Sequence, residues 1–232
     1  MRRDVVSFVR RSARMNDAQR KAWDAHRDRF VLEVESADTS TSISPDASLD
    51  LTQHFGRSGP LIVEIGSGIG DSLVPMAAAR PDANVLAFEV FEPGVAQTMA
   101  RLVRHGVDNV RIVIADGAQG LATLVGDGQL TELWTFFADP WHKSRHHKRR
   151  LVSRDLAAIV AAKLAPGGLW RLATDWADYA EWMREALDHA PGLTNVHGGW
   201  APRYGGRPLT KFEKRGMDEG RDIYDLTYAR TT

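Results

Sequence analysis

The stretch Leu61-Ile62-Val63-Glu64-Ile65-Gly66-Ser67-Gly68-Ile69-Gly70 decides the fold of this 232-residue chain. Four of its first five residues are apolar and three are β-branched, a composition typical of a buried parallel strand. The strand then breaks into a G-x-G-x-G turn, where residues without a Cβ atom can take positive φ angles and let a ligand lie against the backbone. We therefore predict a ligand-binding turn built on Gly66, Gly68 and Gly70.

The carboxylate of Glu64, just before this turn, indicates the charge of the ligand. The turn differs from the G-x-G-x-x-G motif that seats a pyrophosphate, and an anion before the first glycine would repel such a group. A cationic ligand would be attracted instead, and S-adenosylmethionine carries both a sulfonium and an ammonium group. We predict that Glu64 and the three glycines bind S-adenosylmethionine; a glycine-rich turn without a ligand is the alternative.

Alternating strands and helices follow the turn and predict the fold class. Further apolar strands are expected at Val85–Val90, Val110–Ile114, Glu132–Phe137 and Leu169–Thr174, with helices between them. This alternation is typical of an α/β, Rossmann-like fold with a doubly wound, mostly parallel sheet. In that fold, ligands bind at the carboxyl ends of the strands.

Two more carboxylates end the second and third predicted strands. Glu89 lies 19 residues after Gly70, where a carboxylate can accept hydrogen bonds from both ribose hydroxyls. Asp116 lies where a carboxylate can accept from the exocyclic amine of adenine, although Asp is also a favoured helix N-cap. We predict that both bind the cofactor. An exposed strand-end acid and a cap are the respective alternatives.

The N-terminal part of the chain is basic. Residues 1–30 hold nine Arg or Lys and four Asp, and a helix is predicted from Asn16 or Asp17 to about Phe30. Residues 36–48 hold seven Ser or Thr and no aromatic residue, which predicts a linker that builds no core. We expect residues 1–48 to form a basic arm, helix and linker, and residues 49–232 to form the cofactor-binding domain.

Composition limits the chemistry and the cellular environment. The chain has no cysteine, which excludes disulfides, Cys-ligated zinc and thiol catalysis and suits a cytosolic protein. Its apolar runs are too short to span a bilayer, and no signal-peptide core follows the arginine-rich N-terminus. We expect a cytoplasmic protein without a membrane partner.

The formal net charge is zero, yet residues 143–150 hold five cations and no anion. Such segregation permits a basic face for nucleic acid, with ordinary solvated charge as the alternative.

The segment Phe136-Phe137-Ala138-Asp139-Pro140-Trp141-His142-Lys143-Ser144-Arg145-His146-His147-Lys148-Arg149-Arg150 follows the fourth predicted strand. A carboxylate, a rigid proline, an aromatic residue and a run of cations are typical of a nucleobase platform beside a phosphate-binding surface. For Asp139 the alternative is a turn-forming Asp-Pro pair. The three histidines have helical spacing, but the surrounding cations and the lack of a carboxylate among them disfavour a metal, and we expect none.

Together these motifs resemble the bacterial tRNA (guanine-N7)-methyltransferase family. The resemblance is carried by the glycine turn, the segment 136–150, Ala173-Thr174-Asp175-Trp176 and Thr210-Lys211-Phe212-Glu213. Ser7-Phe8-Val9-Arg10-Arg11 is similar to the entry segment of that family. The similarity covers nearly the whole chain and implies that residues 49–232 are an S-adenosylmethionine-dependent methyltransferase domain. The family usually has proline where this chain has Ala138.

The resemblance implies methyl transfer from S-adenosylmethionine to N7 of guanine 46 in the variable loop of tRNA. It implies a catalytic Asp139 that also lines the cofactor site with Glu64, Glu89 and Asp116. The implied substrate contacts are Lys143, Asp175, Thr210, Lys211, Phe212 and Glu213, and the cations expected to follow the RNA backbone are Arg145, Lys148, Arg149 and Arg150.

The chemistry of guanine suggests what these residues would do. Guanine N7 carries a lone pair and no proton at neutral pH, so positioning should dominate the reaction, and Asp139 would favour the positive charge that forms on the base. Asp175 could accept hydrogen bonds from guanine N1–H and the 2-amino group, or cap the helix predicted at Trp176–His189. For Thr210–Glu213 the alternative is an edge-strand turn.

Two other functions fit parts of the sequence. Asp139-Pro140-Trp141 distantly resembles the Asp-Pro-Pro-aromatic motif of methyltransferases that act on amino nitrogens, although the second proline is missing. A noncatalytic RNA-binding protein could also keep this fold. The sequence does not decide between a monomer and a homodimer, or which tRNAs are accepted.

Overall fold

The computed structural model describes residues 14–231, which divide into two compact units, one of residues 14–124 and one of residues 125–231. The arginine-rich segment of residues 1–13 lies outside the described residues, together with the predicted entry segment.

The first unit is a parallel sheet with helices between its strands. Its elements are α1 (Asp17–Phe30), α2 (Leu51–Phe55), β1 (Leu61–Ile65), α3 (Leu73–Ala78), β2 (Asn84–Phe88), α4 (Glu92–His105), β3 (Val110–Val113) and α5 (Gly117–Leu124). β2 pairs in parallel with β1 on one side and with β3 on the other. Every residue of β1 and β2 is buried, which explains why both are nearly continuous apolar runs rather than alternating ones.

Helix α1 begins with a capping box. The Asn16 side chain accepts from the backbone N–H of Gln19 at 2.9 Å, and the Gln19 side chain accepts from the N–H of Asn16 at 3.0 Å. This confirms the helix start predicted at Asn16 or Asp17. The helix packs against α4, where Gln19 Nε2 donates to the carbonyl of Pro93 at 3.1 Å, and its last residue, Phe30, is fully buried.

Pro75 has a simple explanation. The sequence predicts a helix over residues 71–79, which would put the proline in its interior, but α3 starts at Leu73. Pro75 therefore lies in the first turn, where a backbone N–H has no partner within the helix and its loss costs little.

The Ser/Thr-rich segment of residues 36–48 packs into the first unit. Thr41, Ser42, Ile43 and Ser44 are buried. The carbonyl of Thr41 accepts from the backbone N–H of Asp116 at 2.7 Å, and the N–H of Ile43 donates to the side chain of Gln119 at 3.2 Å. The expectation that this segment builds no core is therefore wrong for residues 41–44. The proposed boundary at residues 48/49 stays a prediction.

The second unit contains both parallel and antiparallel pairing. Its elements are β4 (Leu130–Phe136), a 3-10 helix (Ser144–Arg149), α6 (Arg154–Lys163), β5 (Leu164–Thr174), α7 (Ala177–Asp188), β6 (Leu193–Asn195), α8 (Lys211–Asp218) and β7 (Tyr224–Arg230). β4 and β5 are parallel, whereas β7 runs antiparallel to both β5 and β6. β5 starts five residues before the predicted Leu169, and its register against β4 shifts between Leu130 and Glu132.

The predicted fold class is confirmed. Within the two units, β1–β2, β2–β3 and β4–β5 pair in parallel and only β7 runs antiparallel to its described neighbours β5 and β6, with helices flanking the mostly parallel strands. Over residues 14–231, no helix combines the length and apolar character that crossing a bilayer requires.

Candidate active site

The glycine turn after β1 has the backbone that its sequence predicts. The φ angles of Gly66, Gly68 and Gly70 are +80°, +57° and +76°, a region that residues with a Cβ atom rarely adopt. A Cβ atom built on Gly66 or Gly68 would have no neighbour within 4 Å. Backbone conformation, rather than crowding, therefore requires glycine at these two positions, and open space borders both.

Glu64 is buried at this turn, and its two carboxylate oxygens differ in their hydrogen bonding. Oε1 accepts a hydrogen bond from the Ser72 hydroxyl at 2.6 Å, whereas the buried Oε2 has no hydrogen-bond partner among residues 14–231. Burial raises the pKa of Glu64 to about 7; the Ser72 hydrogen bond lowers it and the charge of Glu89 raises it. A buried carboxylate in this state would be stabilised by a cationic partner.

A second buried oxygen at the turn, Oγ of Ser67, also lacks a hydrogen-bond partner within the described part of the chain. Buried polar atoms are nearly always hydrogen-bonded in folded proteins, so two such oxygens beside one glycine turn indicate room for a polar ligand. The residues therefore fit a cationic nucleoside. Sequence analysis did not single out Ser67 or Ser72, because short hydroxyl residues are ordinary components of glycine-rich loops.

Glu89 braces the glycine turn. β2 ends at Phe88, one residue before Glu89, and not at Val90 as predicted. Oε2 of Glu89 accepts from the N–H of Gly68 at 2.6 Å, and Oε1 accepts from the N–H groups of Val90 and Phe91 at 2.7 and 2.8 Å. The structure thus brings Glu64, the glycines and Glu89 together. A carboxylate has about four acceptor positions, so these three bonds do not test whether Glu89 also contacts a ribose. The predicted ribose contact stays a prediction.

Asp116 caps helix α5. Its Oδ1 accepts from the backbone N–H groups of Ala118 and Gln119, both at 3.0 Å. The capping alternative is therefore realised in the structure. The predicted contact with adenine is untouched by this finding and stays a prediction.

In the second unit, Asp139 lies in a strained turn between β4 and the 3-10 helix. Two aromatic residues on either side of it have positive φ angles, +53° for Phe137 and +48° for Trp141. Such conformations cost about 1–3 kcal/mol each in non-glycine residues and cluster at functional sites. Asp139 itself is exposed. Its predicted role in catalysis and in the cofactor site stays a prediction.

The basic run after this turn is only partly available to a nucleic acid. Lys143, Arg145 and Lys148 are exposed, while Arg149 is half-buried with its guanidinium 5.0 Å from the centroid of the Trp141 ring. The first three positions suit the predicted RNA contacts.

The histidines of this segment contact aromatic rings: His142 lies 4.0 Å from Trp176 between ring centroids. Within the described part of the chain, no group of three or more potential metal ligands occurs.

The structure does not support the prediction that Arg150 follows the RNA backbone. Its side chain is 1% exposed. Nε donates to the carbonyl of Pro140 at 2.9 Å and Nη2 binds the carboxylate of Asp178. A buried guanidinium with protein partners cannot reach a phosphate, so we withdraw that assignment. The last cation of a basic run is indistinguishable in sequence from its solvent-exposed neighbours.

Asp175 is held by an arginine that sequence analysis missed. Nε of Arg221 donates a hydrogen bond to Oδ2 of Asp175 at 2.9 Å, and Nη2 of Arg221 lies 2.8 Å from the same Oδ2 atom. Helix α7 has Trp176 as its N-cap and no side-chain cap bond, so the capping alternative for Asp175 is wrong. A Cβ atom on Gly216 would lie 2.8 Å from that of Asp175, so α8 packs directly on this carboxylate.

The Thr210-Lys211-Phe212-Glu213 motif starts helix α8 and is not an edge-strand turn. The Thr210 hydroxyl accepts from the N–H of Glu213 at 3.2 Å and caps the helix. Thr210 and Glu213 are buried, whereas Phe212 is 53% exposed and Lys211 is exposed as well. The predicted substrate contacts of the four residues stay predictions, and the exposed pair is better placed to meet a ligand.

Glu213 belongs to a buried ion-pair network centred on Arg207. Arg207 binds Glu213 through Nη2 at 3.1 Å and also binds Asp225, and Arg203 Nε donates to Glu213 at 2.6 Å. Burial raises the pKa of Glu213, but hydrogen bonds from Arg203 and Arg207 bring it below its ordinary value. Nothing local in the sequence marks Arg207 as buried, because its partners come from α8 and β7.

The chain has clear relatives among known proteins. A family model described as "Putative methyltransferase" (Methyltransf_4) matches residues 58–226. The chain is 50% identical over 233 residues to a tRNA (guanine-N(7)-)-methyltransferase of Cutibacterium acnes, covering 99% of this chain and 84% of that protein. It is also 50% identical over 228 residues to one of a Nocardioides species, covering 98% of this chain and 88% of that protein.

Solved structures share the fold at low sequence identity. The 16S rRNA methyltransferase KamB superposes with a TM-score of 0.54 and 17% identity, covering 85% of this chain and 95% of that chain. This likeness independently supports the Rossmann-like architecture. Since half of the residues are shared with the two named enzymes along almost the entire sequence, the chain belongs to the tRNA (guanine-N(7)-)-methyltransferase family.

Proposed function

We propose that this protein acts in the cytoplasm and transfers a methyl group from S-adenosylmethionine to N7 of guanine 46 in the variable loop of tRNA. The observation that carries the cofactor assignment is the buried Glu64 carboxylate at the open glycine turn, whose Oε2 has no hydrogen-bond partner among the residues that the structure describes. The names of the relatives support the tRNA guanine and its N7 atom as the target.

The first unit would hold the methyl donor. Glu64 Oε2 and Ser67 Oγ offer buried oxygens to a cationic ligand, and the glycine turn lets that ligand approach the backbone. Glu89, fixed by three backbone N–H groups, is assigned to the ribose hydroxyls. Asp116 is assigned to the adenine amine.

When bound, S-adenosylmethionine would supply a methyl group for transfer to the N7 lone pair, and its positively charged sulfur would leave as a neutral thioether. No protein group has to remove a proton from N7 first, so the residues of this chain contribute position and charge. The exposed carboxylate of Asp139 would favour the positive charge that the base acquires. Glu64 would stay ionised while its cationic partner is bound.

The second unit would recognise the tRNA. Asp175 is assigned to guanine N1–H and the 2-amino group, a donor pair that adenine lacks. Lys143, Arg145 and Lys148 are exposed and are assigned to phosphates or to guanine O6. The half-exposed Phe212 ring beside Lys211 suits stacking on a base.

The test is methylation of defined tRNAs with a labelled methyl donor, followed by nucleoside mapping. Unmodified tRNA with guanine 46 should yield N7-methylguanosine at that position. A tRNA with 7-deazaguanosine 46, which replaces only the N7 atom by a C–H group, should yield none. Label on an adenine, on another guanine, or on the deaza substrate would contradict the proposal. Failure of the wild-type protein to bind the donor would contradict the cofactor assignment.

A further inference from the structure

The backbone around Asp139 is strained on both sides. Bulky aromatic residues adopt positive φ angles, such as +53° at Phe137 and +48° at Trp141, only when the surrounding structure enforces them. At the start of the turn, the N–H of Phe137 donates to the carbonyl of Ala173 in β5 at 2.8 Å. The end of the turn, at Pro140 and Trp141, needs support of its own.

Arg150 supports this end of the turn through a hydrogen bond to its backbone. Its Nε donates to the carbonyl of Pro140 at 2.9 Å, and Nη2 binds the carboxylate of Asp178 in α7. The guanidinium carbon lies 5.2 Å from the ring centroid of Tyr179 and 5.1 Å from that of Trp182. One cation therefore links the turn to three residues of helix α7, namely Asp178, Tyr179 and Trp182.

We propose that Arg150 is a positioning residue that holds the Asp139 turn in its strained conformation for methyl transfer, an inference that rests on the function proposed above. A lysine at this position could not form the same set of bonds, because the planar guanidinium can donate to a carbonyl and a carboxylate while stacking on aromatic rings. The neighbouring Arg149 contacts the ring of Trp141, a residue of the same turn.

The electrostatics of Tyr179 agree with this arrangement. Burial raises the pKa of Tyr179 to about 12; the Val152 hydrogen bond and the charge of Arg150 lower it, and the charge of Asp139 raises it. The charges of Asp139 and Arg150 therefore act on the same buried ring.

The test compares Arg150→Met and Arg150→Lys with Lys148→Met, which removes an exposed cation from the same basic run. For each variant we would measure the single-turnover rate at saturating tRNA and donor, the KM for tRNA, and the salt dependence of that KM. Hydrogen exchange of the backbone amides of residues 137–142 gives a readout that needs no activity. Asp178→Asn, which weakens only one of the Arg150 contacts, serves if Arg150→Met does not fold.

Arg150→Met should lower the saturating rate roughly tenfold or more, because misplacement of a catalytic group by about 1 Å is enough for such a loss. It should also speed exchange at residues 137–142 and leave the salt slope unchanged. Arg150→Lys and Asp178→Asn should give intermediate rates. Lys148→Met should lower the salt slope by roughly one, as expected for a lost phosphate contact.

Two results would overturn the inference. If Arg150→Met weakens tRNA binding and flattens its salt dependence, with local exchange unchanged, the arginine contacts RNA instead. If exchange rises equally throughout residues 125–231, Arg150 supports global stability and not this turn. Failure of the proposed function is a separate observation, since wild-type protein would then form no N7-methylguanosine while the exchange comparison still tests the turn.

Discussion

Arg221 holds Asp175 by one oxygen: its Nε lies 2.9 Å and its Nη2 2.8 Å from the same Oδ2 atom. Both contacts converge on Oδ2, so the guanidinium orients the carboxylate and neither contact occupies Oδ1. A carboxylate oriented in this way is suited to accept hydrogen bonds from the edge of a base. The arrangement leads to a prediction about guanine recognition.

Asp175→Asn should lower kcat/KM for tRNA with guanine 46 roughly 10- to 100-fold, since hydrogen bonds to charged groups contribute about 1.5–3 kcal/mol. A tRNA with inosine 46 keeps N1–H but lacks the 2-amino group, so the same substitution should cost less on that substrate. The measurement is kcat/KM for both tRNAs with wild-type and variant. Equal losses on the two substrates would show that Asp175 does not contact the 2-amino group.

Asp139→Ala should keep its fold and lose most methyl transfer, by roughly 100-fold or more if the carboxylate stabilises charge in the transition state. Its exposed side chain predicts little change in the free energy of unfolding. Single-turnover rates and thermal unfolding check the two expectations. Near-normal turnover by a folded variant would remove Asp139 from the mechanism, and Asp139→Asn separates loss of charge from loss of hydrogen bonding.

Donor binding should depend on pH through Glu64. Burial raises the pKa of Glu64 from 4.5 to about 7 in the folded, ligand-free protein. Between these two pH values the folded protein keeps the Glu64 proton, whereas the unfolded chain releases it. The contribution of Glu64 to the free energy of unfolding therefore falls as the pH rises from about 4.5 to 7. A bound cation favours the ionised form. Affinity for S-adenosylmethionine should therefore increase roughly tenfold between about pH 6 and 8, with proton release on binding.

Calorimetry in two buffers of different ionisation enthalpy measures that proton release directly. Glu64→Gln keeps the size of the side chain and removes its titration, so it should bind the donor more weakly and release fewer protons near pH 7. An unchanged proton release in this variant would assign the titration to another group.

The exposed cations Arg145 and Lys148 should set the salt dependence of tRNA binding. Replacing both by methionine should lower the slope of log affinity against log salt by roughly two, because each phosphate contact releases about one counterion. Binding titrations over a range of salt concentrations provide the slope. If the double variant has the wild-type slope, the RNA backbone follows another surface.

Arg207→Met should destabilise the protein by about 3–5 kcal/mol, because removing one partner of a buried ion-pair network leaves uncompensated charges. The carboxylates left behind are those of Glu213 and Asp225. Urea unfolding measures the loss. Adding Glu213→Gln to the variant removes one of those charges and should restore part of the stability; a double variant less stable than the single one would contradict this explanation.

Sequence patterns predicted the structure correctly where it depends on interactions between residues close together in the chain. The apolar run of β1, the glycines that follow it and the cap at Asn16 depend on residues within a few positions of one another, and all three occur as predicted. The fold class follows from the same alternation. Arg150 could not be placed in this way, since the Tyr179 and Trp182 rings that bury it are about 30 residues further along.

The Ser/Thr-rich segment shows a different limit of composition. Low hydrophobic content predicts exposure only when hydroxyl groups lack partners within the chain. Here the Ser42 hydroxyl accepts from the N–H of Thr39 at 2.8 Å and donates to its carbonyl at 2.9 Å, so the polar groups enter the interior already bonded. Composition alone does not show whether a hydroxyl group makes such a bond to the backbone or faces solvent.

The hydrogen bond from Asp116 to the carbonyl of Thr41 also has a practical consequence for dissecting the protein. A truncated chain starting at residue 49 would lose that acceptor, as well as the pairing of Val31 with Ile112 and the side chain of Ile43. The smallest fragment that can be expected to fold and accept the methyl donor therefore begins ahead of Phe30, well upstream of the glycine turn.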